Sequence, residues 1–153
     1  MTAMSEMQQV IEQRAIERMM YEYSYNLDMN RPEVLAALFV DDCEVSYAPN
    51  FGATGMEAYK KTLEGIGTFF RGTSHHNSNV VVDFVSETEA NVRSVVLAVH
   101  RYTKERPDGI LYGQYFDTVV KECGQWKFKR RELRTSFTTD YHVKAANPIG
   151  RND

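Results

Sequence analysis

The sequence predicts an α+β fold, with helices first and a curved antiparallel sheet after them. Three observations carry this. Apolar residues recur at three- and four-residue spacings through most of the first 70 residues, interrupted by one short alternating run. From Thr73 onward the period changes to two. Turn signals at 86–88, at Pro107-Asp108-Gly109 and at 122–125 then cut this second half into long strands with short connections, the pattern of an antiparallel meander.

The first helix is predicted over 5–26. Val10, Ile11, Ile16, Met19, Met20, Tyr23 and Leu27 form its apolar stripe, and Glu12, Gln13, Glu17, Arg18 and Glu22 take the other side. Ser5 suits the cap. Asn30-Arg31-Pro32 breaks the pattern, and Pro32 suits the first turn of a short second helix through Leu38 that buries Val34, Leu35 and Leu38. Asp41-Asp42 reads as a turn. Cys43, Val45 and Tyr47 then alternate with Glu44, Ser46 and Ala48, which predicts a first strand. The stretch 49–55 reads as loop, and a third helix over 56–70 presents Tyr59, Leu63 and Ile66 to the core. Strands follow from Thr73 to Phe84, then over 91–102, 110–121 and 126–138. Strands this long twist and curl, so the sheet should wrap the helices and leave a pocket between. Residues 1–140 are read as one domain and 141–153 as a C-terminal tail, extended or loose.

A chain of 153 residues with net charge −3 and pI about 5.8 suits a single globular domain. The one basic run, Lys127-Phe128-Lys129-Arg130-Arg131, alternates along a strand and splits between two faces, so nucleic acid is not expected as a partner. No apolar run approaches the roughly 18 residues of a membrane span, and the N-terminal residues lack a signal-peptide core, so a cytoplasmic location is expected. Cys43 and Cys123 lack metal-type spacing and read as free thiols. Nine tyrosines suit a cavity with apolar walls and polar tips. The outer face of a long curved sheet is a natural surface for a homo-oligomer, expected as a dimer or trimer.

Several residues are placed for chemistry. Asp28 ends the first helix beside its apolar face, where the helix dipole and desolvation both call for a raised pKa or a cationic partner. Tyr21, Ser24 and Tyr25 should share its side. The same place also suits a turn residue in Asp28-Met29-Asn30. His75 and His76 open the second strand, and histidine exchanges protons near neutral pH. Plain alternation puts His76 on the face of Val80, Val82 and Phe84, whereas a bulge between Asn77 and Asn79 would put His75 there. His75 should oppose a position near Arg101 or Tyr102, with His100 a neighbour. Arg131, mid-strand, needs a carboxylate or anion nearby if its face is buried, and otherwise points to solvent. Two histidines and a carboxylate can hold iron, but no short ligand motif supports a metal here, and none is expected. There is no phosphate loop and no nucleophile elbow, and Gly65-Ile66-Gly67 does not follow a strand.

The segments AIERMMYEYSYNLDMNRPEVLAALFVDDCEV, GTSHHNSNVVVDF and GQWKFKRRELRTSF, in this order, resemble the SnoaL-like branch of the nuclear-transport-factor-2-like superfamily, over roughly residues 15–138. The superfamily includes scytalone dehydratase, hexachlorocyclohexane dehydrochlorinase, bile acid 7α-dehydratase, ketosteroid isomerase and polyketide cyclases, and also members without catalysis. The resemblance implies a cone-shaped barrel with a deep, mostly apolar pocket. It implies that Asp28 orients a catalytic histidine, that this histidine is His75, and that Arg131 and Tyr23 belong to the same site. His100 has the spacing of a second pocket histidine.

The expectation is therefore a lyase needing no cofactor. It would carry out a dehydratase-like elimination on a small, hydrophobic, cyclic molecule, with Asp28 and His75 as an orienting acid and general base. Tyr23 and Arg131 would steady developing charge, and His100, Tyr47, Tyr115 and Phe128 would contact the substrate. Alternatives are a ketosteroid-type isomerase or polyketide cyclase in the same pocket, or a non-catalytic ligand-binding or scaffold domain.

Overall fold

A computed structural model describes residues 4–141 and 150. Helix α1 (Glu6–Asp28) is capped by Ser5, whose hydroxyl accepts from the Gln8 amide. Helix α2 (Pro32–Ala37) starts on its proline. Strands β1 (Phe39–Ala48) and β2 (Phe51–Thr54) precede α3 (Met56–Phe69). Then come β3 (Phe70–Phe84), β4 (Glu89–Tyr102), β5 (Asp108–Glu122) and β6 (Gln125–Tyr141). The expected tail at 141–153 lies outside the described residues, apart from Tyr141, which ends β6, and Gly150.

The six strands form one curved, open sheet in the order β2-β1-β6-β5-β4-β3. The meander β3 to β6 is antiparallel as expected, but β1 joins β6 in parallel, so the sheet is mixed. Helix α1 packs on β3 and β6, α3 on β1 and β2, and α2 bridges the other two helices. Ile16, Met19, Met20, Tyr23 and Leu27 of α1 are buried against Phe39, Val96, Val119 and Phe128. Burial of each large apolar side chain contributes about 1.5–3 kcal/mol, which is what holds α1, and the residues at its end, to the sheet.

Four local expectations change. Asp41 and Asp42 lie within β1 rather than in a turn, because the parallel partner β6 extends the pairing back to Phe39. The segment expected as loop contains β2, which closes a hairpin on β1. Val10, Ile11 and Val34 are exposed. Glu12, expected on the solvent side, is buried: its carboxylate accepts from the Trp126 indole N–H at 2.6 Å and from Lys121 Nζ at 2.7 Å.

Two bulges decide which way key side chains point. On β3 the register against β4 slips between Ser78 and Val81, with Asn79 in the left-handed region at φ 51. Asparagine tolerates that conformation. Beyond the slip Val80, Val82 and Phe84 face inward, and before it His75 and Asn77 do, while His76 and Ser78 face out. On β6 the register against β5 slips between Phe128 and Arg130, so Lys129 and Arg130 are both exposed and Arg131 follows Phe128 into the core.

Candidate active site

The cone encloses a cavity of about 280 Å³ between α1, α3 and the inner sheet face. Tyr23, Tyr47, Tyr115, His75 and His100 line it, with Phe51, Phe69 and Phe70 toward the mouth.

Asp28 reaches the sheet from the last residue of α1. Its carboxylate accepts from three donors on β3: Thr73 Oγ1 at 2.8 Å, the His75 backbone amide at 2.9 Å and His75 Nδ1 at 2.7 Å. A carboxylate is acceptor-only, so Nδ1 carries the proton of this bond. That leaves Nε2 with its lone pair as the nitrogen available to a cavity occupant. Thr73 and His75, two apart on one strand, share a face, and both meet Asp28. Tyr21 and Tyr25, expected beside Asp28, are exposed, whereas Ser24 is buried.

His75 pairs with Ala98 rather than with Arg101 or Tyr102, because the hairpin turns about Glu87 rather than Thr88 and the bulge takes up one further residue. The His100 ring therefore lies edge-on to His75 at 5.5 Å between centroids and stacks on Phe70 at 4.5 Å. Burial pulls the His100 imidazole down to about 4, and His75 adds to this while Asp28 opposes it. His100 is thus a neutral donor–acceptor in the wall.

Three phenols form a chain from the cavity wall into the core: Tyr23 Oη to Tyr47 Oη at 2.7 Å, and Tyr47 Oη to Tyr59 Oη at 2.9 Å. Burial raises all three well above the ordinary phenol value. Tyr59 is fully buried and does not line the cavity, so its hydroxyl finds its partners within this cluster.

Arg131 and Phe128 are completely buried and do not line the cavity. Phe128, expected as a substrate contact, packs instead on Tyr23 and Phe39. The Arg131 guanidinium lies behind the cavity wall, 3.6 Å from the Tyr115 ring, 4.0 Å from Tyr23 and 4.4 Å from Phe128. Its counter-ion is Asp117, on the paired position of β5, with Nε to Oδ1 at 3.6 Å. Burial pushes the Asp117 carboxyl up to about 7 against the pull of Arg131. Burial also disfavours the guanidinium charge, but Asp117, Tyr115 and Tyr23 outweigh it and Arg131 stays charged. Its field lowers the phenols of Tyr23 and Tyr115 relative to what burial alone would impose.

Thr73, Tyr59 and Asp117 were not singled out from sequence for these roles. Thr73 had a signal, its two-residue spacing from His75. Tyr59 was legible only as a core residue, and Asp117 carried none, since its partner comes from another strand. Among the described residues no group of three or more His, Cys, Asp or Glu side chains is arranged to hold a metal. No helix there is long and apolar enough to cross a membrane.

The family model of the SnoaL-like domain matches residues 8–132. The chain belongs to the SnoaL-like family. The fold of this SnoaL-like chain matches solved structures across nearly its whole length. One is a protein from Novosphingobium aromaticivorans named as a candidate scytalone dehydratase. It is 82% identical, with a TM-score of 0.85 over 97% of this chain and 100% of that one. The LinA-type3 hexachlorocyclohexane dehydrochlorinase from Novosphingobium barchaimii has 18% identity and a TM-score of 0.84 over 93% of this chain and 100% of that one. A type 2 LinA dehydrochlorinase has 19% identity and a TM-score of 0.85 over 94% and 99% of the two chains. At these identities the LinA structures speak for the shared cone fold. No curated protein matches the chain.

Proposed function

We propose that the protein is a lyase that eliminates water from a small, largely hydrophobic cyclic molecule, with His75 as general base and Asp28 as the residue that orients it. The observation that carries this is the 2.7 Å bond from His75 Nδ1 to Asp28, at a histidine that lines an apolar cavity. The name of the 82% identical relative supports the same reaction class.

In this reading Nε2 of His75 takes a proton from the carbon beside a carbonyl. The electron pair of that C–H bond becomes the new C=C bond as hydroxide leaves the neighbouring carbon. The proton on His75 returns to the leaving oxygen, and water departs. Negative charge builds on the carbonyl oxygen meanwhile, and a phenol of Tyr23 or Tyr47, both of which line the cavity, is the donor for it. Arg131 acts through the rings in front of it: its charge makes the Tyr23 and Tyr115 phenols better donors. His100, neutral above about pH 4, supplies a polar contact to the ring substituents.

The test is a panel of cyclic β-hydroxy ketones, read by the ultraviolet absorbance of the enone formed. His75→Ala should lose about 10²–10⁴-fold in rate while its thermal melt stays cooperative. A His75→Ala protein that turns over the panel like the wild type would refute the assignment. Ketosteroid-type isomerisation or ring closure would use the same base, and a product that keeps all its oxygen atoms would identify either one.

A further inference from the structure

We propose that Arg106 is an anion-recognising residue at the mouth of this cavity, and that the natural substrate is a flat ring compound bearing a carboxylate. The inference rests on the reading that this cavity is the substrate site.

Among the described residues the lining is otherwise aromatic, aliphatic or neutral, and the charged side chains in it are Arg106 and Asp140, both exposed. Arg106 sits on the connection between β4 and β5, which is pinned at both ends. The Thr103 amide donates to the Phe69 carbonyl at 3.0 Å and its hydroxyl to the Thr68 carbonyl at 3.1 Å. The Tyr102 amide donates to Asp108 Oδ1 at 3.1 Å. Pro107 further restricts the backbone of Arg106 to extended conformations. The connection therefore presents Arg106 at the mouth from a fixed frame.

The nearby carboxylate of Asp108 is engaged by the Tyr102 amide and by Arg101 at 3.9 Å. Arg106 has no ion pair among the described residues, and its guanidinium rests 4.0 Å over the Tyr102 ring. A planar guanidinium on an aromatic face keeps its edge N–H groups free, in the fork geometry that fits a carboxylate. Tyr102 continues inward to His100 at 6.1 Å, and His100 to His75 at 5.5 Å between ring centroids. One wall thus runs from the base to the cation through successive aromatic rings. A flat molecule lying along it would present a ring carbon to His75 and its carboxylate to Arg106. Asp140, paired with Gly109 on the neighbouring strand, is the acidic group at this mouth, and the recognition is assigned to the Arg106 edge that faces the cavity.

The test is a binding titration of the full chain with naphthalene-2-carboxylate and with its neutral amide. Neither ligand requires turnover, so the result does not depend on whether the elimination reading holds, and a His75→Ala protein should show the same preference. The carboxylate should bind about twofold to fivefold more tightly than the amide at low salt, the range of one exposed ion pair, with the advantage shrinking as salt rises. Arg106→Gln should erase that advantage without changing amide affinity, and Arg106→Lys should keep part of it. Equal binding of the two ligands by the wild type, or a preference that survives in Arg106→Gln, would overturn the proposal.

Discussion

Replacing Asp28 by asparagine tests the orienting role most directly, because it changes proton bookkeeping while keeping shape. The native carboxylate faces three donors, from Thr73, the His75 amide and His75 Nδ1. Asparagine offers one acceptor oxygen and one NH₂ group. With its oxygen in the Oδ2 place, accepting from the His75 amide, its NH₂ takes the Oδ1 place and faces the Thr73 hydroxyl and His75 Nδ1, which must then become an acceptor. The imidazole proton moves to Nε2, and the lone pair that faced the cavity is lost. The rate should fall by about 10²–10⁴-fold, the usual contribution of a general base. Stability should fall far less. The Asp28 side chain retains 17% exposure, so the loss of one charge-assisted bond should cost about 1–2 kcal/mol, or roughly 2–8 °C in Tm. Nitrogen-15 NMR of the imidazole should show the His75 proton on Nδ1 in the wild type and on Nε2 in Asp28→Asn. An Asp28→Asn protein whose rate stays within about tenfold of the wild type, or whose tautomer is unchanged, would refute the reasoning.

Two further predictions concern stability. Glu12→Ala strands the Trp126 indole N–H and removes the partly exposed Lys121 pair. It should cost about 3 kcal/mol, or roughly 6–12 °C in Tm by calorimetry. Its hydrogen bonds hold the Glu12 carboxyl below its ordinary value. The wild-type advantage over Glu12→Gln should therefore be full above pH 4.5 and disappear as pH falls through the lowered native value, and a gap that persists in acid would contradict this. The depressed value of His100 gives a second pH dependence. Between about pH 4 and 6.5 the unfolded chain binds a proton that the native protein excludes, so native stability should decline as pH falls through that window. Denaturant melts of His100→Gln should show a shallower decline, and identical pH profiles for the two proteins would count against it.

Much of the fold was legible because periodicity is local. Ile16, Met19, Met20, Tyr23 and Leu27 recur at helical spacing and are buried, and the β3–β6 meander follows from alternation and turn signals. Asp41 and Asp42 differ from the turn expected because β1 pairs in parallel with β6, about 85 residues away in the chain, and β2 forms because β1, held in the sheet in this way, offers its other edge for an antiparallel hairpin. Glu12 was misread because a charged residue on a helix is polar by pattern, whereas its burial depends on a tryptophan and a lysine brought by the β5–β6 hairpin. The resemblance to the SnoaL-like family pointed to Asp28, His75, Arg131 and Tyr23 together, but it did not place Arg131 and Phe128 behind the wall rather than in it.

The Asp28–His75 pairing shows where sequence stops. By itself the sequence determined the helix that ends at Asp28, the strand that carries two adjacent histidines, and the condition on which the choice between them turns, because side-chain alternation is a property of the strand alone. Only the tertiary structure decided that choice. A bulge exists where two strands of unequal length must stay in register, and this depends on both partners at once. The slip between Ser78 and Val81 turns His75 inward to Asp28, and the slip at Lys129 turns Arg131 in behind Tyr23 and Tyr115.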